Sequence, residues 1–278
     1  MPELICPVCG GTLSLIDKSY VCEKRHCYDI AKSGYVNLLM DNRSGKRHGD
    51  DAAMIKARRD FLDRGFYEPL MNAVCDIAQE HLTTGGEILD CGCGDCYYTA
   101  GLMRRLEESG KICGCVGIDI SKDALKYAAK RKSGIILAAA SAYKLPVPGN
   151  SCNLLLNIFS PLAGEEFLRV LKTGGALLKV VPLERHLMAL KEAIYDEPYE
   201  NKPEPPELDG FELVKTKQVK YPLELPDAEA IAALFMMTPY YYKTGRKDQE
   251  KVAALESLRD SAEFEIRLYV KKGGSEKC

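Results

Sequence analysis

The stretch Glu87-Ile88-Leu89-Asp90-Cys91-Gly92-Cys93-Gly94-Asp95-Cys96 decides the fold of this 278-residue chain. Ile88 to Cys91 reads as a short strand, Gly-x-Gly as a turn, and the residues from about Tyr97 as the start of a helix. Glycines at 92 and 94 permit positive φ and let a ligand approach the backbone closely. Asp90 and Asp95 flank the turn, and two carboxylates there would repel a diphosphate. They suit a ligand that carries an ammonium and a sulfonium. Twenty-five residues beyond Gly94, Asp119 closes the next strand, Val116-Gly117-Ile118-Asp119. A carboxylate at that point can hold both hydroxyls of a ribose. The cofactor that fits an acidic loop followed by a ribose carboxylate is S-adenosylmethionine.

Outward from this loop, short apolar runs alternate with amphipathic helices. The runs are Ile88–Cys91, Cys113–Ile118, Ile135–Ala140, Asn153–Phe159 and Ala176–Val181. The helices are Tyr98–Glu108, Ala124–Arg131, Glu165–Leu171 and His186–Tyr195. The alternation predicts an α/β fold, a Rossmann-like parallel sheet with helices on both faces. An acidic, Pro-rich stretch at 196–210 precedes Glu212–Tyr221, a helix Asp227–Met237 and Glu263–Val270, which suggests an antiparallel edge. Upstream, Asp51–Leu62 and Tyr67–Leu82 are helical by apolar spacing, and residues 41–54 are polar and turn-rich. Three parts are expected: a small domain at 1–40, linker and helices at 41–83, and the sheet domain at 84–278.

The first part holds Cys6-x2-Cys9-x12-Cys22-x3-His26. Gly10 and Gly11 follow the second cysteine and let backbone amides face the thiolates. Twelve intervening residues suffice for a hairpin that returns Cys22 and His26 to the turn. Three thiolates and an imidazole suit a closed, structural Zn2+ site. Some forty residues cannot bury enough apolar area to fold unaided, so the metal would supply the stability. Cys27 directly follows His26, and on spacing alone either could be the fourth ligand.

Composition narrows the class further. Hydrophobic residues make up 46% and charged residues 28%, the balance of a globular protein rather than a disordered or fibrous one. The apolar runs are too short to span a bilayer, and the N-terminus lacks the layout of a signal peptide. A cytoplasmic protein without membrane contact is expected, its 12 cysteines being thiols or metal ligands. Net charge is −2, but locally the balance swings. Seven basic residues face four acidic ones over 43–64 and eight face four over 104–132, while seven acidic face one basic over 196–212. A polyanion would therefore dock on one side only. At the end of the fourth strand, Asn157-Ile158-Phe159-Ser160-Pro161 offers a polar group to orient a nucleophile and a ring to stack on a base.

Taken together, these peptides resemble the bacterial 23S ribosomal RNA guanine N1-methyltransferases over essentially the whole chain. The resemblance rests on the cysteine segment through Tyr28-Asp-Ile-Ala-Lys-Ser-Gly-Tyr-Val-Asn-Leu-Leu39, on Ala57-Arg58-Arg59-Asp-Phe-Leu62 and on Leu89 through Thr99. Arg185-His186-Leu-Met-Ala-Leu-Lys191 and Met237-Thr-Pro239 complete it. It implies a zinc domain and a class I methyltransferase domain that methylates a guanine in a domain II hairpin lining the peptide exit tunnel. Zinc ligands would fall on Cys6, Cys9, Cys22 and His26, since the family keeps no cysteine at position 27. Donor contacts would fall on Tyr67, Asp95 with Cys96, and His186, beside Asp90, Gly92, Gly94 and Asp119 from the loop reading. Asn157 and Phe159 would position the substrate.

Two departures stand out. Cys96 replaces a third small glycine, and Leu162 stands where relatives often carry cysteine. Some members are linked to tylosin-type macrolide resistance, and these motifs do not separate the subgroups. The partner implied is a 23S rRNA hairpin; a homodimer is compatible with the sequence. A methyltransferase acting on a quinone or other metabolite would use the same donor loop but leaves the cysteine domain and basic segments without a role.

Overall fold

The computed structural model describes residues 3–40 and 52–273. Two sheets form. The first is a four-stranded antiparallel sheet of β1 (Leu4–Ile5), β2 (Thr12–Ile16), β3 (Ser19–Cys22) and β4 (Cys27–Asp29) in sequential order. Next come β5 (Val36–Asn37), α1 (Ala52–Asp63), α2 (Glu68–His81), β6 (Gly86–Cys91), α3 (Tyr97–Glu108), β7 (Cys113–Asp119), α4 (Lys122–Ala128) and β8 (Ile136–Ala139). The chain continues through β9 (Cys152–Ile158), α5 (Gly164–Val170), β10 (Leu171–Pro182), α6 (Met188–Ile194), β11 (Phe211–Leu225), α7 (Ala228–Met236), α8 (Arg246–Ala253) and β12 (Leu258–Lys271).

The second sheet has eight strands in the order β11-β12-β10-β9-β6-β7-β8-β5. Strands β10, β9, β6, β7, β8 and β5 are mutually parallel, and β12 and β11 add the antiparallel edge. Alternation along the strands feeds two cores. Ile88, Leu154, Leu156 and Leu178 pack on one face with α2, α3, α6 and α7. Leu89, Leu155 and Leu177 pack on the other with Phe167 of α5.

The expected sheet, its helices and its antiparallel edge are all present. Four details differ from the sequence reading. Val36–Asn37 pairs with Ala138–Ala139, so the large sheet takes strands from both sides of residue 40. β11 and β12 run well beyond the stretches expected, because their ribbon is exposed on one face and its polar alternation hides strand from a hydrophobicity pattern. The helix expected from His186 begins at Met188, after a turn closed by Leu187 at φ +57°. α8, with a charged and mostly exposed sequence, lacks the apolar stripe that would announce it. Of the linker read at 41–54, residues 41–51 and the basic residues within them lie outside the described residues, and 52–54 open α1.

The small sheet is joined to the large domain. Leu4, Cys6, Leu13 and Cys22 enter the second core. The Ile5 amide donates to the Pro146 carbonyl at 2.9 Å, and Lys144 Nζ to the Pro7 carbonyl at 3.1 Å. Among the described residues no helix is long and apolar enough to cross a membrane.

Candidate active site and metal centre

At the metal centre the four expected ligand atoms converge. Cys6 Sγ, Cys9 Sγ, Cys22 Sγ and His26 Nδ1 lie within 4.8 Å of one another. Cys9 and Cys22 sulfurs are 3.7 Å apart, and His26 Nδ1 is 3.4 Å from Cys6 Sγ and 3.3 Å from Cys22 Sγ. A tetrahedron with metal–sulfur bonds of about 2.3 Å places its sulfurs roughly 3.8 Å apart. The donor set therefore fits zinc. Cys27 is exposed and stays outside the cluster. Burial opposes ionisation of Cys6, but hydrogen bonds from the Tyr28 hydroxyl, at 3.2 Å, and from backbone amides hold its thiol down to about 6. Beyond Leu4 and Leu13, which are buried, Leu15 and Ile16 at the hairpin end are more than half exposed, so the sheet's own apolar burial is small and a metal ion would add to its stability.

At the carboxyl ends of the parallel strands lies the loop between β6 and α3, where ligands bind in open α/β sheets. Gly92 N and Cys93 N both donate to the Ile118 carbonyl, fixing the turn against β7. Gly92 has φ +84°, and a Cβ there would meet Ser160 Cβ at 2.3 Å. Gly94 has φ +54° and nothing within 4 Å of where its Cβ would be. One glycine is required by close packing; the other leaves its face open for a ligand.

The Asp119 carboxylate accepts from Gly94 N at 2.8 Å and Ser121 N at 2.7 Å. It is thus oriented at the loop, and each oxygen can accept a second bond, as a ribose diol requires. Asp90 is buried and accepts from the Thr99 hydroxyl. Burial pushes its carboxyl up to about 7, helped by the Asp119 charge and opposed by Thr99. Asp95 is also buried, but its carboxylate pairs with Arg131, whose Nε binds the Asp95 carbonyl at 2.8 Å. The charge that the sequence assigned to the loop from Asp95 is therefore answered within the protein. Arg131 was missed because its role depends on long-range placement, and Thr99 because only the exact start of α3 turns its hydroxyl onto Asp90.

Cys96 caps α3 in the left-handed conformation at φ +61° and is fully buried. Its sulfur packs with that of Cys93 over Gly117. Its hydrogen bond to Cys93 and their shared burial keep the Cys93 thiol protonated. The Cys96 side chain thus faces the core, and any contact to the donor comes from its backbone.

The remaining expected residues meet at a ring that the sequence did not single out, Phe264 of β12. Its centroid is 4.4 Å from His186, 5.1 Å from Tyr67 and 5.5 Å from Phe159. Tyr98, in the first turn of α3, comes within 6.4 Å of Phe159 and ties this cluster to the loop. His186 Nδ1 accepts from Glu263 N at 3.1 Å, which leaves the ring its proton on Nε2. Burial, reinforced by Lys191, drives its pKa down to about 3. This histidine is a neutral donor.

Phe159 is half exposed and held at φ +53°. Asn157 is buried, and its Nδ2 donates to Ser160 Oγ at 2.6 Å and to the Pro161 carbonyl at 3.1 Å, bracing the turn. Ser160 Oγ in turn donates to the Cys91 carbonyl. Asn157 Oδ1 and the Tyr98 hydroxyl are buried without a hydrogen-bond partner.

A parallel sheet carrying this loop, with a carboxylate closing β7, belongs to the class I S-adenosylmethionine-dependent methyltransferases. Two family models match: one described as "RlmA, N-terminal", a zinc ribbon, over residues 4–43, and one described as "Methyltransferase domain" over 88–175. A Streptomyces fradiae protein named 23S rRNA (guanine(748)-N(1))-methyltransferase is 32% identical over 69% of this chain and 67% of its own. A Bacillus subtilis (strain 168) protein provisionally named as a 23S rRNA (guanine-N(1)-)-methyltransferase is 29% identical over 96% of both chains. Another of that provisional name, from Micromonospora griseorubida, is 32% identical over 68% of this chain and 69% of its own. The chain belongs to the 23S rRNA guanine N1-methyltransferase family.

Proposed function

We propose that the protein transfers the methyl group of S-adenosylmethionine to N1 of a guanine in the domain II hairpin of 23S rRNA that lines the peptide exit tunnel. The observation that carries this reading is the buried Asn157 Oδ1, an acceptor with no partner, beside the half-exposed ring of Phe159. On its Watson–Crick edge guanine presents N1–H and an exocyclic amine, both donors, whereas adenine N1 accepts. An orphaned acceptor next to a stacking ring fits the exocyclic amine of guanine, and the guanine methyltransferase names of the relatives select guanine among the bases with such a donor.

When bound, the donor supplies a methyl group already activated on a sulfonium. The protein's task would be to place guanine N1 in line with that methyl group, with the N1 proton passing to water as the N1–carbon bond forms. Asp119 holds the ribose and Gly94 admits the donor to the backbone. Tyr67 and Phe264 wall the site, and Phe159 stacks on the target base while Asn157 Oδ1 accepts from its edge. His186, neutral and with Nδ1 engaged, can donate from Nε2 but takes no proton.

Mapping methylation of 23S rRNA by mass spectrometry, with and without the enzyme, tests the reading. One new methyl at guanine N1 in that hairpin is expected; because it occupies the pairing edge, it also stops reverse transcription. Methylation confined to another base, or to a small metabolite, overturns it.

A further inference from the structure

Two basic segments, far apart in sequence, converge beside the donor loop. Arg59 of α1 lies over the Tyr127 ring of α4 at 4.6 Å, and Lys130 covers the same ring at 4.8 Å. Arg131 reaches across to Asp63 of α1 at 2.9 Å while holding Asp95 of the loop. Together α1 and residues 122–132 carry eight basic and three acidic side chains, a net +5 on a chain whose total is −2. Lys56, Lys130 and Lys132 are exposed and Tyr127 is partly exposed.

We infer that this α1–α4 face is the docking surface for the phosphodiester backbone of the RNA substrate. The inference rests on the function proposed above and specifies where its substrate lies. An aromatic ring covered by two cations orders their charges on one face, and an unpaired base stacks on it by displacing the mobile Lys130 ammonium, which is then free to neutralise a neighbouring phosphate. Continuity with the site decides the partner: Arg131 binds the Asp95 carbonyl at 2.8 Å, so a strand lying on this face ends at the loop that holds the methyl donor. Far along the sheet, the acidic segment 196–210 is pinned over β10 and β12 through Lys179–Glu204 and through Arg267 to the Pro205 carbonyl. It repels such a strand and sets its direction. A membrane surface is the poorer fit, since the exposed large apolar side chains include none from 52–63 or 122–132.

The test uses the full-length protein and a fluorescently labelled hairpin of 23S rRNA domain II. Lys130→Glu with Lys132→Glu should weaken RNA binding about tenfold or more and lower the slope of log affinity against log salt by about 1.5 to 2. Tyr127→Ala should weaken binding with the salt slope kept, and Tyr127→Phe should restore it. S-adenosylmethionine affinity and melting temperature should match wild type in all three. Arg246→Glu with Lys247→Glu on α8 is the control for net charge and should change RNA affinity far less.

Wild-type affinity and salt slope in the Lys130/Lys132 variant would overturn the docking surface. So would loss of binding to phosphatidylglycerol vesicles in that variant while RNA binding persists. Methylation mapping separates the two readings. A wild-type enzyme that methylates guanine N1 with an indifferent α1–α4 face keeps the function and discards the surface. Face-dependent RNA binding without guanine N1 methylation keeps the surface and discards the reaction. A wild type that does not bind the hairpin discards both.

Discussion

The backbone amide of Gly94 donates to the Asp119 carboxylate at 2.8 Å, so the residue proposed to bind the ribose, at the end of β7, also holds the turn that follows β6. The two parts of the donor site are one hydrogen-bonded unit, closed by Ser121 N on the other carboxylate oxygen. Asp119→Ala should therefore remove both the ribose contact and the loop's anchor. S-adenosylmethionine binding should weaken by about 1–3 kcal/mol, the loss of charge-assisted hydrogen bonds. Titration calorimetry reads this directly, and unchanged affinity would mean that Asp119 faces away from the donor.

Asp90 gives the site a pH dependence. Its carboxyl is raised by burial from 3.8 to about 7, so at neutral pH a substantial fraction is protonated. A cationic donor favours the ionised form and must displace that proton. Donor affinity should rise as pH increases through the range up to about 7 and then level off. Binding near pH 7 should release protons, visible as calorimetric heats that change with buffer ionisation enthalpy. In Asp90→Asn the release and the pH dependence should both vanish.

What the sequence made legible follows from range. Gly92 and Gly94 take the positive φ that the sequence asks of them, because a strand–turn–helix unit is local and its φ requirements fall on residues a few positions apart. The Cys6-Cys9-Cys22-His26 cluster is legible for the same reason. Phe264 is not: it lies on the antiparallel strand β12, and only the register with β10, Pro182 opposite Phe264, brings it to the site. Nor is Arg131, whose pairing with Asp95 cancels a charge that local reading assigned to the ligand. The role of Val36–Asn37 as the eighth strand is equally hidden, since two residues carry no period.

His186 should make the fold acid-sensitive. Its folded pKa, lowered to about 3, lies below the unfolded value near 6.5. The unfolded chain therefore binds an extra proton as pH falls below about 6.5, and stability declines from there down to about 3. His186→Gln cannot take that proton and should flatten this part of the stability curve, as measured by urea unfolding at a series of pH values. A parallel decline in variant and wild type would place the acid sensitivity elsewhere.

Metal content gives an independent check. Protein purified without chelator should carry one zinc per chain, held by the cluster around His26 Nδ1. Cys27→Ser should retain it, because that thiol is exposed and outside the cluster. His26→Ala should lose it or hold it weakly, and the small sheet should then become protease-sensitive, since structural zinc supplies its folding energy. Elemental analysis showing no zinc in wild type would remove the metal from the fold.

The last prediction separates the two sheets. Removal of residues 1–32 takes away β1 to β4 and the metal cluster but leaves Tyr35, Val36 and Leu38, each buried, with β5 still paired to β8. Removal of 1–40 deletes that strand as well and exposes the edge of β8. Burial of such side chains contributes about 1.5–3 kcal/mol each as an upper estimate. The longer truncation should therefore melt clearly lower than the shorter one. Donor binding should survive in the shorter form, because the bonds from Gly92, Cys93 and Gly94 to Ile118 and Asp119 lie wholly outside the deleted segment. Methylation of the rRNA hairpin should nevertheless collapse in both forms, if the zinc sheet helps to hold the hairpin over the site. The accompanying loss of RNA affinity should be salt-sensitive to the extent that the deleted segment contacts phosphates. An enzyme acting on a metabolite would instead keep its turnover after the shorter cut. A protein of residues 33–278 that still methylates the hairpin at the full rate would show that the zinc sheet stabilises the chain without presenting the RNA.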